Sequence, residues 1–492
     1  MSHVTLAVAL GGLLGCGEPQ PERPNLILIS LDGMRADRTG VGGNPRLPTP
    51  TLDRFAREGV WFERAFSQAN ESLFSHSALL TGRHVPEIAP ADYTTFALPD
   101  RAILLGELLA TWGYHSAAFV AGGHLHAAYG FDQGFEVYDD RHDFGAFFHK
   151  APEALAWLEQ TRAQAPEAPF FLFLHGYDCH RPYLHPGLWY HPYSDGADHA
   201  AMDAMLSRRA DTERVYAGRY YPAFPLDHFF HAKGDPILDP GGYARIRDWA
   251  ETHDGVALSQ GDIDHLIAHY DGGVLAADLQ VGRFLEILQQ RGLLEHTLVV
   301  LTADHGEDLH DHGYFNHRAV LADATTHVPL AFWGAPLDPA VRGQTRSDLA
   351  GAIDVVPTIL GLLGLAPPEP LSGRDLFAGE EPDATVVQVG VLPQVSVRTG
   401  THRLTFAGVG AESGLFPAAL QAAPLTPEWF TLYDLATDPR EQHNAVLEQP
   451  GQAAALRRAL VAWALSMPRD LAAEPPLIDD QLQRTLRERG YW

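Results

Sequence analysis

The sequence predicts an α/β fold in which a doubly wound, mostly parallel central sheet is flanked by helices. Three apolar runs indicate strands: NLILISL at residues 25–31, PFFLFLH at 169–175 and LVVL at 298–301. These runs are continuous rather than alternating, as in strands that have both faces buried in a parallel sheet. Helical patterns separate the runs, and such an alternation of strands and helices is typical of a doubly wound sheet.

The segments between these strands predict helices with recognisable ends. Pro50 opens a helix that Gly59 closes. The polar run 70–72 leads into the apolar segment 78–80, which predicts a short helix ended by Gly82. Further helices are predicted at 103–112, 153–162 and 262–290, and a further strand at 116–120. Residues 184–260 lack strand patterns, so we expect an insertion there, either at the substrate entrance or as a surface elaboration.

Composition limits the classes of function. The chain has 492 residues, of which 46% are apolar, so it can bury a large core. Its formal net charge of −27 argues against a nucleic-acid-binding surface and requires any anion-binding site to be local. No segment of the sequence has the length that spanning a bilayer requires.

The first 24 residues predict a leader rather than part of the fold. A short apolar run at 4–14 leads to Leu-Leu-Gly-Cys, ending at Cys16, and then to a polar stretch at 17–24. The pattern resembles a bacterial lipoprotein signal in which Cys16 becomes lipidated, although no Lys or Arg precedes the apolar run. We therefore expect an exported periplasmic or cell-surface lipoprotein whose only membrane contact is this anchor. The alternative is a mildly apolar N-terminal segment.

Polar residues at strand ends and at one helix start indicate a metal site. Asp32 follows the first strand, Asp304 and His305 follow the strand at 298–301, and Ser72 begins the short helix. Ligands collect at the carboxyl ends of parallel strands, and carboxylate, imidazole and hydroxyl groups can together bind a divalent cation. The alternatives are that Ser72 only caps its helix and that Asp32 only forms a turn.

Histidines near these positions are candidates for proton transfer. His175 ends the strand at 169–175, His180 lies just beyond it, and His180 is the stronger candidate. His76 lies four residues after Ser72, where it can orient the serine if the helix continues. A surface or capping role is the alternative for His76. The cluster of histidines between residues 305 and 317 could also bind a second metal ion.

Several ordered segments give the chain a resemblance to the sulfatase family of the alkaline phosphatase superfamily. The resemblance covers residues 25–450 and includes NLILISLDGMRAD at 25–37, SLFSHSALLTGR at 72–83 and the long segment 270–308. It implies an alkaline phosphatase-like fold with a small C-terminal α+β subdomain. The implied domains are a leader at 1–24, a catalytic domain at 25–380 and a C-terminal subdomain with a tail at 381–492.

The resemblance also implies roles for the candidate residues. One divalent metal, Ca²⁺ or Mn²⁺ with Mg²⁺ or Zn²⁺ as alternatives, would be bound by Asp32, Ser72, Asp304 and His305. Ser72 would attack the ester, and His180 would protonate the leaving alcohol. His317 would contact the anion, with a surface or capping role as its alternative.

The sequence departs from the family at the nucleophile. Typical members carry a C/S-x-P-S-R motif whose first residue is converted to formylglycine, whereas this chain has Ser72, Phe74 and His76 at the first, third and fifth positions. Gly33 stands where many members have a second metal-binding aspartate. We therefore expect an unmodified serine. The implied function is hydrolysis of sulfate esters of small molecules or glycans. The alternatives are a phosphodiesterase, phosphatase or phosphotransferase that uses Ser72 directly, and an inactive lipoprotein that binds anionic glycans.

Overall fold

The computed structural model describes residues 23–88, 96–141, 145–181, 183, 214–216, 219–221, 256–318, 320–379, 381, 384–390, 394–407 and 416–468. The predicted leader with Cys16 and most of the predicted insertion at 184–260 lie outside these residues. Among the described helices, none combines the length and apolar character needed to cross a membrane.

An eight-stranded, mostly parallel sheet forms the centre of the fold. Its strands in chain order are β1 (Asn25–Leu31), β2 (Val60–Phe62), β4 (His115–Phe119), β5 (Val137–Asp139), β6 (Phe170–Gly176), β10 (Thr297–Thr302), β13 (Leu330–Gly334) and β14 (Gln344–Arg346), and β3 (Ala65–Phe66) lies outside it. Their order across the sheet is β14-β2-β13-β10-β1-β6-β4-β5, and only β13 runs antiparallel to its neighbours. The central strand β1 pairs with β10 on one side and with β6 on the other, and all three are buried on both faces.

Helices cover the sheet and enclose two apolar clusters. One cluster includes Leu26 and Leu28 from β1, and the other includes Ile27 and Ile29, so alternate residues of this strand face opposite layers. The helices are α1 (Pro50–Glu58), α2 (Ser72–Thr81), α3 (Val85–Ile88), α4 (Leu105–Ala110), α5 (Phe147–Gln164), α6 (Gln260–Gln290), α7 (Asp323–Thr326), α8 (Val355–Leu362), α9 (Phe416–Ala422) and α10 (Pro450–Ser466).

A separate antiparallel sheet lies near the C-terminus. Its four strands, in the order β16-β17-β18-β19, are β16 (Val386–Val389), β17 (Gln394–Arg398), β18 (His402–Ala407) and β19 (Phe430–Asp434), and α10 packs against it. Val389 N–H donates to the Gln68 carbonyl (2.8 Å), which joins this sheet to the segment before α2. The smaller sheets pair β11 (Asp308–Leu309) with β12 (Phe315–Asn316), β3 with β15 (Ala350–Gly351), and β7 (Arg214–Tyr216) with β8 (Arg219–Tyr221) and β9 (Val256–Ala257).

The predicted fold class is confirmed: a mostly parallel α/β sheet is followed by a small antiparallel sheet with helices. The helix predicted at 153–162 begins earlier, at Phe147, and contains Pro152. The helix predicted at 103–112 is shorter and spans Leu105–Ala110. The proposed domain boundaries at 24/25 and 380/381 stay predictions.

Candidate active site

The ends of two neighbouring strands bring Asp32 and Asp304 together. Asp32 directly follows β1, and its backbone N–H donates to the Gly176 carbonyl (3.0 Å). Asp304 lies two residues beyond β10, and its Oδ1 accepts a hydrogen bond from Gly33 N–H (3.1 Å). Gly33 has φ +70°, a left-handed conformation that glycine adopts without steric cost. This turn aims a backbone donor at Asp304, so both carboxylates are fixed at the carboxyl edge of the sheet.

Ser72 is the first residue of α2 and meets the same group. Its Oγ lies 3.1 Å from Asp32 Oδ2 and 3.3 Å from His305 Nε2. Every residue of α2 is buried, and the helix ends at Gly82, which has φ +67° and donates its N–H to Ala78. Burial therefore shields the Ser72 hydroxyl from bulk water.

The N-cap of α2 is Glu71, not Ser72. Its carboxylate accepts a hydrogen bond from Leu73 N–H (3.2 Å) and also contacts His124 and Arg318. Although burial opposes ionisation, the charge of His124 lowers the pKa of Glu71 to about 2. Glu71 thus supplies the negative charge that the helix N-terminus favours. The Ser72 hydroxyl does not cap the helix and contacts Asp32 and His305 instead.

Buried oxygen atoms of the two aspartates fit a bound cation. Asp32 Oδ1 and Asp304 Oδ2 are buried and accept no hydrogen bond within the described part of the chain. One ligand atom from each of Asp32, Asp304 and His305 lies within 4.8 Å of the others. His305 Nδ1 donates to the Gly306 carbonyl (2.8 Å), so Nε2 is the nitrogen that faces the carboxylates. Two carboxylates, one oriented imidazole and one hydroxyl form a donor set that suits a divalent cation.

The carboxyl groups and the imidazole of this group shift one another's pKa values. Burial and the neighbouring charge of Asp304 raise the pKa of Asp32 well above its usual value. Burial lowers the pKa of His305, but Asp304 and Asp32 outweigh this effect and raise it overall. Burial also opposes ionisation of Asp304, yet His305 and His76 keep the pKa of its carboxyl low. Binding of a cation would therefore release protons.

His175 donates a hydrogen bond to the Asp32 carboxylate and orients it. Ala121 N–H donates to His175 Nδ1 (3.4 Å), which assigns the ring proton to Nε2, 3.3 Å from Asp32 Oδ2. Burial lowers the pKa of His175 to about 4, so the ring is neutral near pH 7. A neutral N–H donor fixes a metal-binding carboxylate without adding charge.

His76 contacts the backbone of Ser72 rather than its hydroxyl. Its Nδ1 lies 2.9 Å from the Ser72 carbonyl oxygen and 3.6 Å from Asp304 Oδ2, and Ser30 Oγ lies 3.0 Å from Nε2. Burial lowers the pKa of His76 to about 4. Asp304 thus belongs to a second potential ligand group with His76 and His175, in which both rings already hydrogen-bond to the protein.

His180 and His317 form one wall of the site. His317 stacks on His305, with ring centres 4.1 Å apart, and its centre lies 5.2 Å from that of His180. His317 Nδ1 contacts Glu307 Oε2 (3.0 Å), while His180 Nδ1 donates to the Arg181 carbonyl (2.6 Å). Burial and the neighbouring His317 lower the pKa of His180 to about 3, and burial and His305 lower the pKa of His317.

The structure brings together all seven residues predicted for the site, and it adds others. The predicted residues are Asp32, Ser72, His76, His180, Asp304, His305 and His317. Sequence reasoning assigned no role to Glu71 or Glu307 and ranked His175 below His180. The cluster of histidines at 305–317 does not converge on one point, because His312 pairs with Asp308 (2.6 Å) and only His305 and His317 stack.

Comparisons with known proteins decide the family. A family profile described as Sulfatase matches residues 24–365. The chain belongs to the sulfatase family. An arylsulfatase of Clostridium perfringens is 24% identical over 399 residues, which cover 72% of this chain and 78% of that protein. The multifunctional alkaline phosphatase superfamily protein PehA of Trinickia caryophylli is 26% identical over 522 residues, covering 90% and 96%.

Solved structures show the same fold for this sulfatase-family chain. One of them is a protein in complex with its substrate D-glucosamine-2-N,6-O-disulfate. It matches with a TM-score of 0.63 at 19% identity, and the match covers 93% of this chain and 100% of that one. The alkaline phosphatase-like architecture expected from the sequence is therefore confirmed.

Proposed function

We propose that this sulfatase-family protein is a metal-dependent hydrolase of sulfate esters in which the unmodified Ser72 hydroxyl is the nucleophile. The observation that carries the proposal is the position of Ser72 Oγ, 3.1 Å from Asp32 Oδ2 and 3.3 Å from His305 Nε2. A hydroxyl next to a carboxylate and an imidazole has the surroundings of an activated nucleophile. Attack on sulfur would form a bond between sulfur and Ser72 Oγ and release the alcohol, and water would then cleave this intermediate.

The residues proposed to hold the cation are Asp32, Asp304, His305 and Ser72. When bound, a divalent cation would lower the pKa of the Ser72 hydroxyl and offset the negative charge of the ester. The two carboxylates favour Ca²⁺ or Mn²⁺, and the single imidazole is compatible with Mn²⁺. His175 would keep the Asp32 carboxylate oriented for this purpose.

We assign proton transfer to His180 and anion contact to His317. The low pKa of His180 means that its ring is neutral before substrate binds. The negative charge of a bound ester would raise the pKa of the adjacent imidazole and so favour its protonated form in the substrate complex. It can then protonate the leaving alcohol and afterwards accept a proton from the attacking water. His317, stacked on His305, lies on the same wall.

The charge of the site favours esters with a single negative charge. The two negative charges of Asp32 and Asp304 would balance the two positive charges of one divalent cation. Burial lowers the pKa values of His76, His175 and His180, so these rings add no positive charge near pH 7. Sulfate monoesters and phosphate diesters carry one charge at the reacting group, whereas phosphate monoesters carry nearly two at neutral pH. The serine nucleophile makes a phosphodiesterase the second candidate function, and the similarity to PehA, described as a multifunctional alkaline phosphatase superfamily protein, is compatible with it.

The proposals for the substrate class and the cellular location come from similarity and from a sequence pattern. The similarity to a structure that holds a sulfated glucosamine supports a glycan or small-molecule ester as the substrate class. The signal-like segment ending at Cys16 supports export and a lipid anchor, which replacement of Cys16 by alanine would remove.

A panel of chromogenic esters tests the proposal. Nitrophenol release from nitrophenyl sulfate is compared with release from nitrophenyl phosphate and bis-nitrophenyl phosphate, with Mn²⁺ or Ca²⁺ added. Ser72→Ala is the variant, and Ser75→Ala, one turn further along α2, is the matched control. Sulfate turnover that is lost only in Ser72→Ala supports the proposal. Turnover of the phosphate diester alone would establish the second candidate, and turnover of no ester despite metal binding would contradict both.

A further inference from the structure

Two histidines of α6 face each other outside the active site. His265 and His269 are one helical turn apart, and only 6% and 5% of their surfaces are exposed. Their Nε2 atoms lie 3.2 Å apart. The ring centres are 4.7 Å apart and the ring planes meet at 70°. We call these two residues the histidine pair.

The rings of the histidine pair are tilted away from the line that joins their nitrogens. A linear N–H···N hydrogen bond would place the ring centres roughly 5.5 Å apart, because the two rings would then extend in opposite directions. The observed separation of 4.7 Å shows that at least one ring is tilted from this linear arrangement. Two imidazoles bound at about 2.0–2.1 Å to one tetrahedral ion have nitrogens roughly 3.3 Å apart. The observed 3.2 Å matches this spacing.

The position of the two residues in the helix agrees with metal binding. Histidines at positions i and i+4 lie on one face of a helix and are a recurrent zinc-binding arrangement. A direct N–H···N hydrogen bond would need a proton on one of the two facing nitrogens, whereas a shared cation would use the lone pairs of both.

We propose that the histidine pair binds a transition-metal cation such as Zn²⁺, with water completing the coordination. This site is chemically distinct from the one at Asp32 and Asp304, because imidazole ligands favour Zn²⁺, Cu²⁺ or Ni²⁺ and carboxylates favour Ca²⁺ or Mn²⁺. It is nevertheless linked to the active site, since the hydroxyl of Tyr270, the residue after the pair, donates to the Gly33 carbonyl (2.7 Å) and accepts from Arg35 N–H (2.8 Å). The proposal does not depend on the function proposed above.

Zinc stoichiometry tests the proposal. The full-length chain without a histidine tag is freed of metal, incubated with micromolar Zn²⁺ as the only metal and desalted, and its bound zinc is then measured. Because Zn²⁺ can also occupy the catalytic group, the comparison uses Asp304→Asn, His265→Gln and the two substitutions combined. Asp304→Asn and His265→Gln should each lose one equivalent, and the combined variant should lose both. Retention of the full zinc content in His265→Gln would overturn the proposal.

A second measurement uses the unsubstituted chain and so does not depend on whether a variant folds. Crystals soaked in Zn²⁺ are measured at the zinc absorption edge. An anomalous peak within bonding distance of both Nε2 atoms supports the site. A direct contact between the rings without a peak, while zinc occupies the catalytic group, would overturn it.

Discussion

Removing the cation should destabilise the protein more strongly at alkaline than at mildly acidic pH. Ligand oxygens of Asp32 and Asp304 lie within 4.8 Å of each other and are fully buried. At that separation and an effective dielectric constant of about 20, two carboxylate charges repel by about 3.5 kcal/mol. A bound cation cancels this repulsion. Without it, only the protons on Asp32 and His305 can do so.

The sign of the effect follows from these two groups. The pKa values of Asp32 and His305 are both raised in the folded, cation-free protein. Each group therefore contributes stability at low pH that is lost as the pH rises through its folded pKa. The pKa of Asp304 is lowered, so its contribution changes only in more acidic solution. Chelation should thus cost less near pH 6 than near pH 9, by up to about 3.5 kcal/mol.

Urea denaturation with and without excess chelator, at both pH values, measures this difference. Asp304→Asn removes one of the repelling charges and should abolish the pH-dependent effect of the chelator. Asp278→Asn is the matched control, because this buried carboxylate accepts hydrogen bonds from Thr51 and Leu52 in α1, away from the site. An equal effect of the chelator at both pH values, or a wild-type response in Asp304→Asn, would refute the reasoning.

Three further predictions concern single residues. His175→Asn should weaken metal affinity about 10- to 100-fold in a calorimetric titration, and unchanged affinity would refute its role in orienting Asp32. His180→Asn should slow hydrolysis of alkyl sulfates about 10²- to 10⁴-fold but that of nitrophenyl sulfate much less, because nitrophenolate leaves without a proton. An equal loss on both would exclude leaving-group protonation. Gly82→Ala should cost about 1–2 kcal/mol in unfolding free energy, plus a packing cost because its Cβ would lie 3.3 Å from Leu371. Gly113→Ala, with φ +82° and open space around it, should cost only the conformational part and serves as the control.

Sequence reasoning reached the architecture because the decisive strands are continuous apolar runs. Their carboxyl ends coincide at one edge of a parallel sheet, which is why Asp32 and the Asp304-His305 pair could be placed together. Element ends were less predictable. The helix α5 begins at Phe147, whose N–H donates to Asp178 Oδ2 (2.7 Å). The two residues are 31 positions apart, so the sequence around Phe147 contains no local signal for this helix start.

The supporting residues of the site depend on similar long-range contacts. Glu71 caps α2 and is held by His124 and Arg318, residues far from it in the sequence. His175 did carry a signal that could have been used. It is paired in register with Ser30, so two adjacent strands place a polar side chain at the same level near their ends. A comparison of polar positions across predicted strands would have ranked His175 higher.

The chemical state of Ser72 during turnover tests the central claim most directly. The protein is mixed with nitrophenyl sulfate, quenched in acid within the first turnovers and digested, and the peptide that contains Ser72 is analysed by mass spectrometry. In the resting enzyme we expect this peptide to have the mass that corresponds to unmodified Ser72. After quenching we expect a second species whose mass is higher by one sulfo group on Ser72. A peptide with formylglycine at position 72, two hydrogens lighter than serine, or turnover without any adduct on Ser72, would contradict it.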